Sequence, residues 1–226
     1  MIALLASLAL LQVTEPAAAQ AQPDQPVSNP SVPAADTAAP AALDRDAAIA
    51  GINRYLNDLQ TLRARFTQVA PDGSSAGGLL SLSRPGRLRF EYDEPSPIRM
   101  IADGTTVAIE DRALETVDRA PLRSTPLWWL LKPEIDLEAD ARITGIGREY
   151  GYLYVTMEDP DGEMQGEITF VFAEPSLELR EWYVVDALNE VTRVTLSDVA
   201  TGQALDPRLF VIPEAEDTAD SRRGRR

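Results

Sequence analysis

From Leu62 onward the chain is written in short runs of alternating apolar and polar residues, each run closed by a turn signal. Alternation with a period of two puts successive side chains on opposite faces of a strand. Strands are expected near 62–70, 77–83, 86–92, 97–102, 105–111, 114–118, 140–148, 150–158, 165–172, 177–185 and 190–200. The breaks are chemically sensible turns: Asp72-Gly73, Pro85-Gly86, Pro95-Ser96-Pro97, Asp103-Gly104, Asp161-Gly162 and Glu174-Pro175. Sequential strands with such short joins predict an antiparallel meander. The third strand carries Leu88, Phe90 and Tyr92 on one face and Arg87, Arg89 and Glu91 on the other. The ninth, read as its neighbour, carries Ile168, Phe170 and Phe172, and Trp182 and Val184 fall on the tenth. One face of the sheet is therefore expected to be apolar and the other wet.

Two segments depart from this period. Asp44 or Asp46 can cap a helix in which Ile49, Ile52, Leu56 and Leu59 recur at helical spacing, weakened by Gly51 by roughly 1 kcal/mol. In Ser124-Thr125-Pro126-Leu127-Trp128-Trp129-Leu130-Leu131, a Ser or Thr cap with proline in the first turn predicts a short apolar helix that Pro133 stops. About eleven strands make a sheet whose concave face exceeds what two or three short helices fill. The face is either packed tight or left as an apolar cavity, and periodicity does not distinguish the two.

The first residues point to export. Ile2 to Val13 is an apolar run, too short to span a bilayer, followed by Pro16-Ala17-Ala18-Ala19-Gln20 with a cleavage site after Ala19. Residues 1–19 are expected to be a signal peptide, although no Lys or Arg precedes the run, which leaves the translation start open. Residues 20–42 hold seven Ala and five Pro and read as a linker. One domain is expected over 43–213, and a disordered charged tail over 214–226, acidic and then basic.

Composition removes whole classes of chemistry. The chain has no cysteine and no histidine, hence no disulfide, thiolate site, imidazole triad or His metal ligand. A net charge of −15, with four arginines confined to the last five residues, argues against nucleic acid. Acidic pairs such as Asp93-Glu94, Asp136 with Glu138, and Asp159 with Asp161 could suggest a glycosidase, but most sit in turn-like stretches where Asp is favoured anyway. Asp159-Pro160-Asp161-Gly162-Glu163 lacks full calcium-loop spacing. Neither a phosphate loop nor a nucleophile elbow occurs. No catalytic residue, metal site or cofactor is expected.

The order of features resembles a known family. A signal segment and an amphipathic helix run into Leu62-Arg63-Ala64-Arg65-Phe66-Thr67-Gln68. There follow a Gly-rich hairpin, Ser83-Arg84-Pro85-Gly86-Arg87-Leu88-Arg89-Phe90-Glu91-Tyr92, and Ile101-Ala102-Asp103-Gly104-Thr105-Thr106-Val107. Asp186, Thr192-Arg193-Val194 and Leu205-Asp206-Pro207-Arg208-Leu209-Phe210 complete the pattern. Over roughly 43–213 this is similar to the periplasmic outer-membrane lipoprotein carriers, the LolA proteins.

The resemblance implies a mainly β fold: an incomplete, half-open antiparallel barrel of about eleven strands, with an apolar concave face lidded by short helices. It implies a monomeric periplasmic chaperone that takes acylated lipoproteins from an inner-membrane lipoprotein-releasing ABC transporter towards the outer membrane. Arg84 takes the position of the lid-latching arginine. The acyl-chain cavity falls to Leu80, Leu82, Leu88, Phe90, Tyr92, Met100, Ile168, Phe170, Phe172 and Trp182, and the lid to Ile49, Ile52, Leu56, Trp128, Trp129, Leu130 and Leu131. Phe90 stands where several relatives have Trp, and the chain lacks the extra C-terminal strand of some members, which leaves the outer-membrane acceptor step open. A half-barrel sensor of envelope stress, a lipid or glycolipid shuttle, and a carbohydrate-active enzyme are the competing readings.

Overall fold

The structure, a computed structural model, describes residues 43–213 except 163 and 165. The expected signal peptide, the linker and the charged tail lie outside the described residues.

Helix α1 spans Arg45–Asp58 and starts at Asp44, whose side chain accepts the Ala47 N–H. Its periodic residues Ile49, Ile52 and Leu56 are buried. All eleven expected strands are present: β1 (Thr61–Val69), β2 (Ser75–Ser83), β3 (Arg87–Tyr92), β4 (Ile98–Asp103), β5 (Thr106–Asp111), β6 (Thr116–Pro121), β7 (Arg142–Glu149), β8 (Tyr152–Glu158), β9 (Glu167–Ala173), β10 (Glu178–Val185) and β11 (Val191–Thr201). Between β6 and β7 lie a 3₁₀ turn (Leu122–Ser124), helix α2 (Trp128–Leu131) and helix α3 (Leu137–Asp140). A second 3₁₀ turn, Pro207–Phe210, follows β11.

The strands form one antiparallel sheet in the order β6-β5-β4-β3-β2-β1-β11-β10-β9-β8-β7. It is two meanders joined by pairing of β1 with β11, where Phe66 faces Leu196 and Gln68 faces Val194. Strands β3 and β9, expected to be neighbours, are not adjacent: β2, β1, β11 and β10 lie between them. Their apolar residues nonetheless belong to one core, because the sheet curls. A flat sheet would hold β3 and β10 roughly 19 Å apart at the normal strand spacing. The Phe90 and Trp182 rings instead meet edge-on at 6.2 Å. Register shifts in β1, β7 and β10, of the kind that bend a strand, accompany the curl.

Strands β6 and β7 are the two edges, and residues 122–141 connect them. That connection crosses the open side of the curl, which is why the departure from strand periodicity falls where it does. The helix expected after Ser124 or Thr125 is shorter than predicted and is not capped by either. Both hydroxyls donate backward, Ser124 to Pro121 O and Thr125 to Leu122 O, each at 2.8 Å, and close the 3₁₀ turn instead. Helix α3 was not anticipated. Its cap is Asp136, whose carboxylate accepts the Glu138 and Ala139 N–H groups.

One expectation about the faces is corrected. The outer face is not uniformly wet, because Ile101 and Ala108 are buried there. Ile101 lies opposite both Arg89 and Ala108, on the side away from Met100 and Val107. The turn Pro207–Phe210 packs against β3 and β4, and Phe210 is 3% exposed. None of the three belongs to the concave core. A C-terminal strap thus covers a small second core on the back of the sheet.

Candidate functional site

The concave face gathers every residue assigned to the cavity. Leu80, Leu82, Leu88, Phe90, Tyr92, Met100, Ile168, Phe170, Phe172 and Trp182 are all buried and belong to one core. Phe66 of β1, absent from the sequence-based set, sits at its centre, edge-on to Phe90 at 4.9 Å and to Tyr92 at 5.1 Å. The Tyr92 hydroxyl donates to Gln68 Oε1 at 2.7 Å, and burial pushes its pKa up to about 12. The same core takes in Ile49, Ile52 and Leu56 of α1 and Trp129, Leu130 and Leu131 of α2. Trp128 is only half-buried and faces outward enough for the Arg123 guanidinium to stack on it, 4.9 Å from the ring centre.

The turn between β2 and β3 holds the end of α2. Gly86 has φ +78, and a Cβ there would meet Gly104 Cα at 2.6 Å, so the turn needs glycine. Its N–H donates to Leu131 O at 2.8 Å. Arg84 Nη2 donates to Lys132 O at 2.7 Å and to Pro133 O at 3.4 Å. Arg84 is 8% exposed, and its Nε and Nη1 are buried without a hydrogen-bond partner. Burial holds this guanidinium below its ordinary pKa, although arginine stays charged in proteins. A buried cation answered only by carbonyl oxygens is costly. Each unsatisfied donor is worth on the order of 1–3 kcal/mol.

The far end of the covering segment is moored to α1 by contacts that the sequence reading missed. Asn57 Nδ2 donates to Ile135 O at 2.8 Å, and Asn57 Oδ1 accepts the Ile135 N–H at 2.9 Å. Asn53 Oδ1 accepts the Leu137 N–H at 3.1 Å. Arg45 pairs with Glu138 across the surface at 2.9 Å. The signal was present in the sequence: two asparagines four apart lie on one helix face, in a residue type that weakens a helix interior.

Of the acidic pairs that could suggest chemistry, Asp93 is paired with Arg65, Glu138 with Arg45, and Asp136 caps α3, while other aspartates act as local caps. Asp103 accepts the Thr105 and Thr106 N–H groups, Asp111 those of Ala113 and Leu114, and Asp186 those of Leu188 and Glu190. Asp159 accepts the Met164 N–H in its own turn. Lys132 pairs with Asp140. A surface cavity of about 410 Å³ beside that pair is lined by Lys132, Pro133, Glu134, Asp136 and Asp140, a charged lining unsuited to hydrocarbon.

The family model for the outer membrane lipoprotein carrier protein LolA matches residues 57–213. An outer-membrane lipoprotein carrier protein of Methylococcus capsulatus is 31% identical over 168 residues, covering 70% of this chain and 80% of its own. One from Pseudomonas aeruginosa is 28% identical over 174 residues, covering 74% and 84%. Among solved structures, a LolA superfamily protein from Nitrosomonas europaea aligns over 73% of this chain and 97% of its own, with 9% identity and a TM-score of 0.42. With a family model spanning the whole curled sheet and a relative above 30% identity, the chain belongs to the LolA family of outer membrane lipoprotein carriers.

Proposed function

We propose that this protein is a non-catalytic periplasmic carrier that shields the acyl chains of lipoproteins between the two membranes. The observation that carries the reading is an apolar concave face, spanning β1–β5 and β8–β11, beneath a separate segment moored partly by an under-satisfied buried arginine. An acyl chain of about 16 carbons is worth on the order of 10 kcal/mol to bury, so no free lipoprotein crosses water unaided. A useful carrier must also let go. Residues 122–141 serve as the moving lid and Arg84 as its latch, while α1, whose Ile49, Ile52 and Leu56 were also assigned to the lid, stays with the sheet to which Tyr55 ties it. Closing buries Trp129, Leu130 and Leu131, at roughly 1.5–3 kcal/mol per side chain, and strands two Arg84 nitrogens without partners. These opposed terms keep the empty lid shut while leaving opening within reach of a ligand that offers more apolar contact. Cargo is received from the inner-membrane lipoprotein-releasing ABC transporter and handed towards the outer membrane.

The test is to isolate the mature chain from the envelope and identify bound molecules by mass spectrometry. Triacylated lipoprotein is the expected finding. Bare phospholipid or glycolipid as the sole cargo would favour a lipid shuttle, and a protein that takes up no fluorescent fatty acid would overturn the reading. Arg84→Leu strips the Lys132 and Pro133 carbonyls of their charged donor, a loss that outweighs relief of the two idle nitrogens, so it is expected to load lipoprotein but release it at least about tenfold more slowly, a shift of about 1.4 kcal/mol towards the open state. Release at the wild-type rate would remove Arg84 from the latch.

A further inference from the structure

Residues 122–141 are fastened at two ends, and the fastenings differ in kind. At the α2 end, the β2–β3 turn grips the backbone through Arg84 and Gly86. At the α3 end, the Asn57 side chain satisfies both the N–H and the C=O of Ile135, as a neighbouring strand would. Asn53, one helical turn earlier, takes the Leu137 N–H. Ile135 and Leu137 are buried in the same core as Leu130 and Leu131. Releasing Arg84 alone therefore leaves half of the cover in place.

Helix α1 is poorly placed to move with that cover. Only Leu59 and Gln60 separate it from β1; Leu59 is buried, and Gln60 O accepts the Arg84 N–H at 2.8 Å. The Tyr55 hydroxyl accepts the Leu179 N–H at 3.1 Å, and its ring meets Phe172 edge-on at 5.9 Å. At Gly51 the helix runs so close to the sheet that a Cβ would reach Leu177 Cδ1 at 2.8 Å. The helix is a fixed post.

We propose that Asn57, assisted by Asn53, is a second latch that docks the α3 end of the lid onto the fixed helix α1. The concave face is exposed only when both ends are freed. Neutral amide bonds suit this role, because water replaces them when the lid leaves and no charge is stranded. The consequence for cargo rests on the carrier reading; the docking itself does not.

Amide hydrogen exchange on the empty protein tests the docking. Asn57→Ala should speed exchange at Ile135 and Leu137 by about tenfold or more, and at Leu131 and Lys132 as well, while Phe170 and Phe172 in β9 stay protected. Asn57→Asp, which keeps the acceptor and loses the donor, should fall between wild type and Asn57→Ala. Unchanged exchange at Ile135, or faster exchange confined to residues 135–137, overturns the second latch. Should Asn57→Ala loosen the whole sheet, Asn53→Ala removes a single bond and must show the same pattern at lower amplitude. In the cargo arm, release of a fluorescent fatty acid should slow in Asn57→Ala, and slow multiplicatively when Arg84→Leu is added. A wild-type protein that takes up no probe defeats the carrier reading and leaves the exchange result standing.

Discussion

Strands β4 and β5 are greasy on both faces, and the two faces are covered in opposite ways. On the concave side, Leu88, Phe90, Met100 and Val107 lie in the core that α2 joins, with Arg84 gripping Lys132 and Pro133. On the outer side, Ile101 and Ala108 are buried where the strap of Pro207–Phe210 packs. Here too an arginine grips a backbone carbonyl: Arg89 Nη1 donates to Leu209 O at 3.3 Å, and Arg119 holds Pro213 O at 2.7 Å. The difference is the counter-charge. Arg89 is also paired with Glu91 at 3.1 Å, whereas Arg84 has carbonyls alone and two idle nitrogens. A compensated cation under a strap favours permanence. An uncompensated one under a separate segment favours a cover that can leave. Equal burial thus need not mean equal permanence.

The largest expected effect separates the two covers by stability. Phe210→Ala empties the outer patch and should cost about 3–4 kcal/mol in urea unfolding, with acyl-probe release unchanged. A cost below about 1 kcal/mol would make the strap incidental. Leu130→Ala removes comparable apolar contact from the lid, yet should cost only about 2 kcal/mol, at the low end of the range, because a separately opening segment can relax around the gap. If Leu130→Ala destabilises the whole sheet as much as Phe210→Ala does, the lid is simply core.

The smallest effect is silent at neutral pH. Burial raises the Tyr92 phenol from 10.0 to about 12, so its contribution to stability is present below pH 10 and lost as pH rises through about 12. A spectral titration that isolates Tyr92 by difference with Tyr92→Phe should show that late transition. In Arg84→Leu it should move down towards 10, because an open lid wets the ring. An unmoved transition would separate Tyr92 from lid opening.

The strands were legible because their causes are local. Alternation and turn residues such as Asp103-Gly104 act over a few positions, and each of the eleven runs appears within a few residues of its expected place. The curl was not legible, since nothing near Phe66 announces that it faces Leu196. The short helices were misjudged for a related reason. Ser124 and Thr125 are good caps in isolation, but the chain turns there to enter the opening, and their hydroxyls close a 3₁₀ turn instead. Arg84 was singled out only through the family pattern; its sequence neighbourhood alone reads as an exposed strand end. The mooring of Ile135 to Asn57 spans 78 positions and left only the i, i+4 asparagines as a trace.

The sequence by itself determined the repertoire: eleven two-sided strands, one long amphipathic helix, an apolar break between the sixth and seventh strands, and an absence of Cys and His that excludes thiol and imidazole chemistry. These follow from the period of the backbone and from the side chains present. Tertiary structure alone decided that β1 and β11 join the two meanders, that the apolar break spans the open side, that Phe210 seals the back, and that Arg84 is buried without a counter-charge. Those features depend on which distant surfaces meet, and the contact energies that select them arise only between segments far apart in the chain.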